Sequence, residues 1–362
     1  MNRNIERLMR DCCSVRINRR NFLLSLPALA AAYRAMAQSG KPTIPLQKLN
    51  HVTLSVSDPR RSLEFYQGLF GLPIQNRQGK NSVGGLRIGS GPQNLALAPA
   101  GANTKPGINH FCLTTRGFDV DRILKVLAEH GITKYDPSGG GSAQAPLKAR
   151  VRIRGEDLGG AKQGTPEFYF TDLDGIVVQL QDTSYCGGAG VLGNVCLATP
   201  EPAPSKGLLT LRDYSHVTLA VSSQQRSVEF YRELFGLPIQ AYQGKSPVLA
   251  IGSGPQFLAL AEGQPPGAAP GIPSIAHVCF TINGFNPDKV QKALADYGVK
   301  PRGSATGPVA PLTYYVRMRM EEQGGAKGGT PELYFTDPDG IVIQLQDASY
   351  CGGSGYLGNV CR

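Results

Sequence analysis

Apolar and polar residues change their period in a fixed order along this chain. His51-Val-Thr-Leu-Ser-Val56 alternates with period two and predicts a strand with one buried face. Residues 60–71 then place Leu63, Phe65, Tyr66, Leu69 and Phe70 at helical spacing, with Gly71 as the stop. Short strands are predicted at 73–78, 85–89 and 94–98. A second unit opens with a strand at 108–114 and a helix at 120–130. It continues through strands at 150–154, 167–171 and 176–181. The pattern is βαβββ twice, and the same succession returns after residue 213. The chain is therefore expected to be α+β and built from four βαβββ modules.

The return is a sequence repeat. Lys48-Leu-Asn-His51-Val-Thr-Leu-Ser-Val56 recurs as Asp213-Tyr-Ser-His216-Val-Thr-Leu-Ala-Val221, and Asn109-His110-Phe-Cys112 recurs as Ala276-His277-Val-Cys279. The closing hairpins are Thr165-Pro-Glu-Phe-Tyr-Phe-Thr-Asp-Leu-Asp-Gly175 and Thr330-Pro-Glu-Leu-Tyr-Phe-Thr-Asp-Pro-Asp-Gly340. The period is too long for a solenoid, whose units run to roughly 20–50 residues. Each half is long enough to bury a core of its own. Two tandem domains are expected, at 48–196 and 213–362, joined by a Pro-rich linker at 197–212. Gly89-Ser-Gly-Pro92 and Gly252-Ser-Gly-Pro255 join short strands with no helix after them, and read as turns rather than phosphate loops.

Residues 1–37 belong to neither domain. Asn18-Arg19-Arg20-Asn21-Phe22-Leu23-Leu24 has the twin-arginine form, followed by an apolar stretch and the small-residue site Ala35-Met36-Ala37. That reads as an export signal recognised by the twin-arginine machinery, too short and too interrupted by Pro27 for a stable membrane span. The expected location is the periplasm or outside the cell. The signal holds seven Arg against Glu6 and Asp11, so half of the net charge of +10 leaves with it. The remainder is spread without a basic run. It suits an anionic small molecule and is no nucleic-acid footprint.

Of the eight cysteines, Cys12 and Cys13 lie in the signal. Cys186 and Cys196 bracket one Gly-rich loop, and Cys351 and Cys361 bracket its copy. A disulfide in each half suits an oxidising compartment. Cys112 and Cys279, alone in apolar strands, read as small buried hydrophobes. Four of the five histidines occupy matching places in the repeat. A lone histidine there would be a satisfied core residue; two pairs on equivalent strands point to metal. His130, whose counterpart is Tyr297, reads as a solvated helix-end residue.

The modules, the His that opens each first strand, the helix ending Phe-Tyr…Leu-Phe-Gly-Leu and the Asp-Gly hairpin resemble the vicinal oxygen chelate superfamily. That group includes glyoxalase I, extradiol ring-cleavage dioxygenases, fosfomycin-resistance transferases and bleomycin-binding proteins. The resemblance covers residues 48–186 and 213–351. It implies paired modules forming two half-open barrels, each around one divalent metal. Carried over by position, the ligands are His51, His110 and Gln179 in one half and His216, His277 and Gln344 in the other. Gln stands where the family usually has Glu. An amide is a weaker donor than a carboxylate and leaves the ion's full double charge on the site, which favours a dianionic chelate such as a catecholate. Tyr169 and Tyr334 resemble the family's substrate-orienting phenols. Glu167 and Glu332 share their strand face, and would supply the missing negative charge if they face inward. Arg152/Arg317 and Lys162/Lys327 recur; exposed strand and loop charges are the commoner case, and a grip on an anionic substrate is the alternative.

The resemblance implies an exported metalloprotein that cleaves the ring of a catechol-like small molecule. Fe(II) is the favoured ion, with Mn, Zn, Ni or Cu as alternatives. Two other readings remain: a non-oxidative isomerase or lyase of the glyoxalase type, and a binding protein without turnover. Tandem fusion allows either a monomer or a homo-oligomer.

Overall fold

The computed structural model describes residues 43–80, 82–136, 142, 144–303 and 310–361. The twin-arginine segment, Cys12 and Cys13 lie outside the described residues. The first half runs β1 (Leu46–Val56), α1 (Pro59–Phe70), β2 (Ile74–Asn76), β3 (Gly85–Arg87) and β4 (Asn94–Pro99). Its second module is β5 (Gly107–Thr115), α2 (Val120–Glu129), β6 (Thr133–Lys134), β7 (Lys148–Arg154), β8 (Thr165–Thr171) and β9 (Val177–Asp182). The second half repeats this with β10 (Leu211–Val221), α3 (Gln224–Phe235), β11 (Ile239–Gln243), β12 (Ser246–Ala250) and β13 (Phe257–Glu262). It closes with β14 (Ser274–Ile282), α4 (Pro287–Asp296), β15 (Lys300–Pro301), β16 (Thr313–Arg319), β17 (Thr330–Thr336) and β18 (Val342–Asp347). The second module of each half thus carries an extra two-residue strand, β6 or β15, that the residue pattern is too short to reveal.

Each half forms one nine-stranded sheet, in the order β2-β3-β4-β1-β5-β9-β8-β7-β6 and its copy β11-β12-β13-β10-β14-β18-β17-β16-β15. The sheets are curved but not closed. The two first strands of each half are adjacent and antiparallel at the centre, β1 against β5 and β10 against β14. The helices begin and stop where their caps dictate. The Asp58 carboxylate accepts from the Arg60 and Arg61 amides at the start of α1, and Gly71 ends it in the left-handed region at φ 67°.

Alternation sends the apolar residues of β1, β5, β8 and β9 to one face. Val52, Leu54, Phe111, Leu113, Phe168, Phe170, Val178 and Leu180 are all buried there. That core is continuous across both halves. Phe65 and Phe70 of α1 pack against Phe335 of β17, at ring distances of 6.4 and 6.0 Å. Phe235 of α3 packs in return against Phe170 of β8 at 6.0 Å. Each half therefore lends a helix to the other's sheet.

Polar contacts repeat the exchange. The Tyr231 hydroxyl donates to Asp172 Oδ2 at 2.9 Å, and the Tyr66 hydroxyl to Asp337 Oδ2 at 3.1 Å. The Gly-Ser-Gly-Pro turns are docking points. A Cβ on Gly89 or Gly252, both at positive φ, would come within 2.0 Å of the carbonyl oxygen of Arg212 or Gln47 in the opposite half. The connection between halves is held rather than loose: Glu201 bridges Ile74 in a short backbone ladder and pairs with Arg77 at 2.6 Å. The two disulfides, Cys186–Cys196 and Cys351–Cys361, are formed, and Cys112 and Cys279 are free and buried. No helix among the described residues is long and apolar enough to cross a membrane.

Asp172 and Asp337 are almost wholly buried. Burial lifts each carboxyl to about 6, although two backbone amides and a tyrosine hydroxyl donate to it. A folded-state value above the unfolded one means that the stabilising contribution is full below about pH 4 and is lost as the pH rises through 6. The double variant Asp172→Asn/Asp337→Asn is expected to gain on the wild type between pH 4 and pH 7 by on the order of 2 kcal/mol per site. Urea unfolding across that range checks it; parallel stability curves would contradict it.

Candidate functional site

The opposite face of each sheet carries the polar residues. Thr53 of β1 pairs with His110 of β5, Cys112 with Gln179 of β9, and Tyr169 of β8 with Gln179. His51 lies two residues from Thr53, and Glu167 two from Tyr169. Period two therefore turns His51, His110, Gln179, Tyr169 and Glu167 to one face, where they line a cavity of ≈ 300 Å³. His216, His277, Gln344, Tyr334 and Glu332 line its copy of ≈ 310 Å³ in the second half. Every residue carried over as a ligand is thus brought to one of two points.

His51 Nε2 lies 2.8 Å and His110 Nε2 3.0 Å from the same atom, Gln179 Oε1. The far ring nitrogens are held by neighbours: Nδ1 of His51 meets Asn50 Oδ1, and Nδ1 of His110 meets Asn109 Oδ1, both at 2.8 Å. In the second half His277 Nδ1 lies 2.7 Å from the Pro266 carbonyl oxygen, which can only accept, so Nδ1 carries the proton and Nε2 presents a lone pair. His216 Nδ1 meets the Ser215 hydroxyl at 3.1 Å.

This donor set fits a divalent cation. Lone pairs of two imidazoles and an amide oxygen repel one another unless a positive charge lies between them. Two ligands about 2.1 Å from one ion and at right angles stand about 3 Å apart, which is the spacing seen around Gln179. The Thr53 hydroxyl, 3.1 Å from His110 Nε2, partly satisfies that nitrogen. Gln344 lies beside both His216 and His277, and its Oε1 is buried with no hydrogen-bond partner, as is Gln179 Nε2. Among the described residues no three His, Cys, Asp or Glu side chains gather into a metal set; the third group at each point is the glutamine amide.

The glutamates do face inward, but they are engaged by arginine. Arg154 Nε donates to Glu167 Oε1 at 2.7 Å, and Arg319 Nε to Glu332 Oε1 at the same distance, all four groups being buried. Each arginine also holds backbone carbonyls, among them Gly188 or Gly353 in the disulfide loops. Tyr185, just before the first disulfide, stacks on His51 at 5.6 Å and donates to Glu167 Oε1 at 3.0 Å. Tyr350 lies tilted against His216 at 5.8 Å and donates to Glu332 Oε1 at 3.2 Å, while Phe257 stacks on that imidazole at 4.3 Å. Tyr169 and Tyr334 stand edge-on to His110 and His277, each at 5.4 Å, and donate to the second oxygen of the same glutamates.

Arg152 and Arg317 line the cavities, as expected of an anion grip. Lys162 and Lys327 do not. They are exposed in loops outside the cavity, the commoner case for such charges. His130 caps the end of α2 away from either cavity. Sequence reasoning missed Arg154, Arg319, Tyr185 and Tyr350, although all recur at the offset of the histidines. It also missed Asn50 and Asn109, which leave no such signal, because their counterparts are Ser215 and Ala276.

Two tandem domains of paired modules, with cavities on the inner sheet faces, define the vicinal oxygen chelate fold. The chain belongs to the Glyoxalase/Bleomycin resistance protein/Dioxygenase superfamily, which matches residues 48–180 and 214–345. No curated protein matches it significantly. Among solved structures it is similar to a catechol 2,3-dioxygenase, at 14% identity and a TM-score of 0.52 over 86% of this chain and 89% of that one. It is also similar to the 2,3-dioxygenase LapB from Pseudomonas sp. KL28, at 14% identity and TM-score 0.52 over 84% and 93%. An extradiol ring-cleaving dioxygenase from B. fuscum gives 15% identity and TM-score 0.52 over 88% and 75%. At these identities the likeness is one of fold.

Burial drives the imidazoles toward the neutral form. His51 is lowered to about 4, and His110 to about 3 with the added influence of His51. His277 falls to about 4, and His216 well below its ordinary value. Protonation therefore competes with a metal only in strong acid. Zn(II) affinity measured by competition calorimetry is expected to stay nearly flat from pH 8 to pH 5 and to fall steeply below about pH 4. A decline beginning near 6.5, the value of a solvated histidine, would show that the imidazoles are not desolvated.

Proposed function

We propose that each cavity holds one divalent ion, Fe(II) in first place, and that the protein cleaves the ring of a catechol-like substrate. One observation carries this reading: the convergence of His51 Nε2, His110 Nε2 and Gln179 Oε1, with the partnerless Gln344 Oε1 in its copy. The structural likeness to extradiol enzymes supports the reaction class. His51, His110 and Gln179 would hold the first ion, and His216, His277 and Gln344 the second. Such an ion favours ionised vicinal oxygens and couples electron flow between substrate and dioxygen.

The chain's own residues supply the setting. The neutral amide leaves the centre more positive than a carboxylate would. Asn50, Asn109 and Pro266 fix ring orientation from behind, so that Nε2 faces the cavity. Tyr169 and Tyr334, hydroxyls fixed on Glu167 and Glu332, offer a rigid wall against which an aromatic ring is oriented. A cavity of ≈ 300 Å³ admits one substituted ring and little water. The buried Arg–Glu pairs keep the carboxylates from migrating onto the ion. We also propose twin-arginine export to the periplasm or beyond, on the strength of residues 18–37.

A second reading, a binder without turnover, is favoured because among the described residues no acidic side chain groups with the two histidines as a third ligand. Elemental analysis of protein purified without chelators separates the cases. Near two equivalents of iron or another divalent ion per chain is expected, and Gln179→Ala/Gln344→Ala should lower affinity at least about tenfold. Oxygen uptake on adding catechol is then expected from the loaded wild type. Full metal without uptake favours the binder, and no metal on reconstitution overturns both metal sites.

A further inference from the structure

The two cavities share a frame but differ at their mouths. The first is lined by Arg150 and Arg152 against one acid, Glu167, which the buried Arg154 already engages. The second is lined by Arg317 and Arg319 against two, Glu332 and Glu262. Arg154 and Arg319 are engaged by Glu167 and Glu332 at 2.7 Å and cancel in both halves. What remains is unequal. In the first cavity Arg150 and Arg152 are exposed at the mouth; Arg152 shares Glu167 at 3.7 Å with half of its side chain in solvent. In the second, Arg317 donates to Gln323 Oε1 at 3.4 Å and shares the lining with a further acid, Glu262.

The exchange of one residue underlies the difference. Arg150 pairs with Tyr169 across β7 and β8 and places its guanidinium 5.0 Å over that ring. Its counterpart, Tyr315, stacks on Tyr334 at 5.2 Å with planes 17° apart. In one half a guanidinium borders the phenol directly; in the other a second ring takes that place, and Arg302 lies 5.0 Å over Tyr315 rather than over Tyr334. The chain between β13 and β14 adds to this, since Gln264, Pro265 and Pro266 wall the second cavity.

We propose that the two cavities take ligands of different charge: the first an aromatic anion carrying a carboxylate, the second a neutral aromatic. A guanidinium pair at a cavity mouth attracts and holds a carboxylate, whereas a mouth of balanced charge has no such preference. This rests on both cavities being small-molecule sites, and it assigns them different substrates.

The chain has five histidines, four of them in the cavities, so imidazole NMR signals report on each cavity separately. The full chain with Zn(II) present is titrated with benzoate and with phenol at low salt. Benzoate is expected to shift the His51 and His110 signals at about tenfold lower concentration than those of His216 and His277, as one charge-assisted contact would give. Phenol should show no such order. Arg150→Ala/Arg152→Ala should abolish the preference, Arg150→Lys/Arg152→Lys should keep most of it, and added salt should weaken it. Equal response of both pairs to benzoate, no response from either, or a preference surviving the alanine variant overturns the proposal. Failure of Zn(II) itself to move the histidine signals would sink the metal reading instead, and leave the benzoate result to stand on its own.

Discussion

Two-residue alternation along the central strands is the constraint on which this structure depends. β1, β5 and β9 must each send large apolar side chains to one face, and their remaining positions are thereby fixed on the other. Val52 and Leu54 face the core, so His51 and Thr53 cannot. Phe111 and Leu113 face it, so His110 and Cys112 cannot. A one-residue slip of β1 or β5 would bury an imidazole in the core and turn apolar side chains to the cavity, and a slip of β9 would do the same to Gln179. Register and site geometry are one requirement, and the core energetics enforce it.

That core belongs to neither half alone. Its two halves are joined by an exchange of helix contacts: α1 against β17, α3 against β8. Tyr66 and Tyr231 close the exchange on the hairpin aspartates of the opposite half. Those aspartates also brace the turns that lead into β9 and β18, the strands bearing Gln179 and Gln344. The cavity amide in each half is thus positioned partly by the other half's helix. The same low-polarity surroundings keep the histidines neutral and force the buried glutamates into pairs with arginine. Removing either partner of such a pair would strand a charge where water cannot reach it.

Much of this was legible in the residues. The βαβββ order follows from period changes, Gly71 marks a real helix stop, and the duplicated histidines and cysteines lie where their spacing placed them. The extra strands β6 and β15 were not legible, because two residues carry no period. Nor was the helix exchange, since a repeat shows that each half has the same helix without showing which sheet it covers. The Pro-rich composition at 197–212 predicts an extended spacer; it does not foretell that Glu201 would pair with Arg77. Arg154 was hidden by a different effect. Four basic residues in seven along β7 look like a solvated stripe, and only the Glu167 carboxylate across the ladder makes one of them a buried partner.

Duplication followed by divergence leaves its own physical signature here. Buried positions are tied to many neighbours at once, so Arg154/Arg319, Glu167/Glu332, Tyr185/Tyr350 and both histidine pairs match between halves. The residues behind the rings are less constrained, because an Asn side chain, a Ser hydroxyl and a backbone carbonyl can all meet Nδ1. Mouth positions are tied to almost nothing. Arg150 can become Tyr315 at little cost to the fold, since both pack flat against a tyrosine face. Stability therefore holds the two centres alike while leaving their entrances free to differ. A fused pair of cavities can in this way acquire two ligand preferences without either half ceasing to support the other's core.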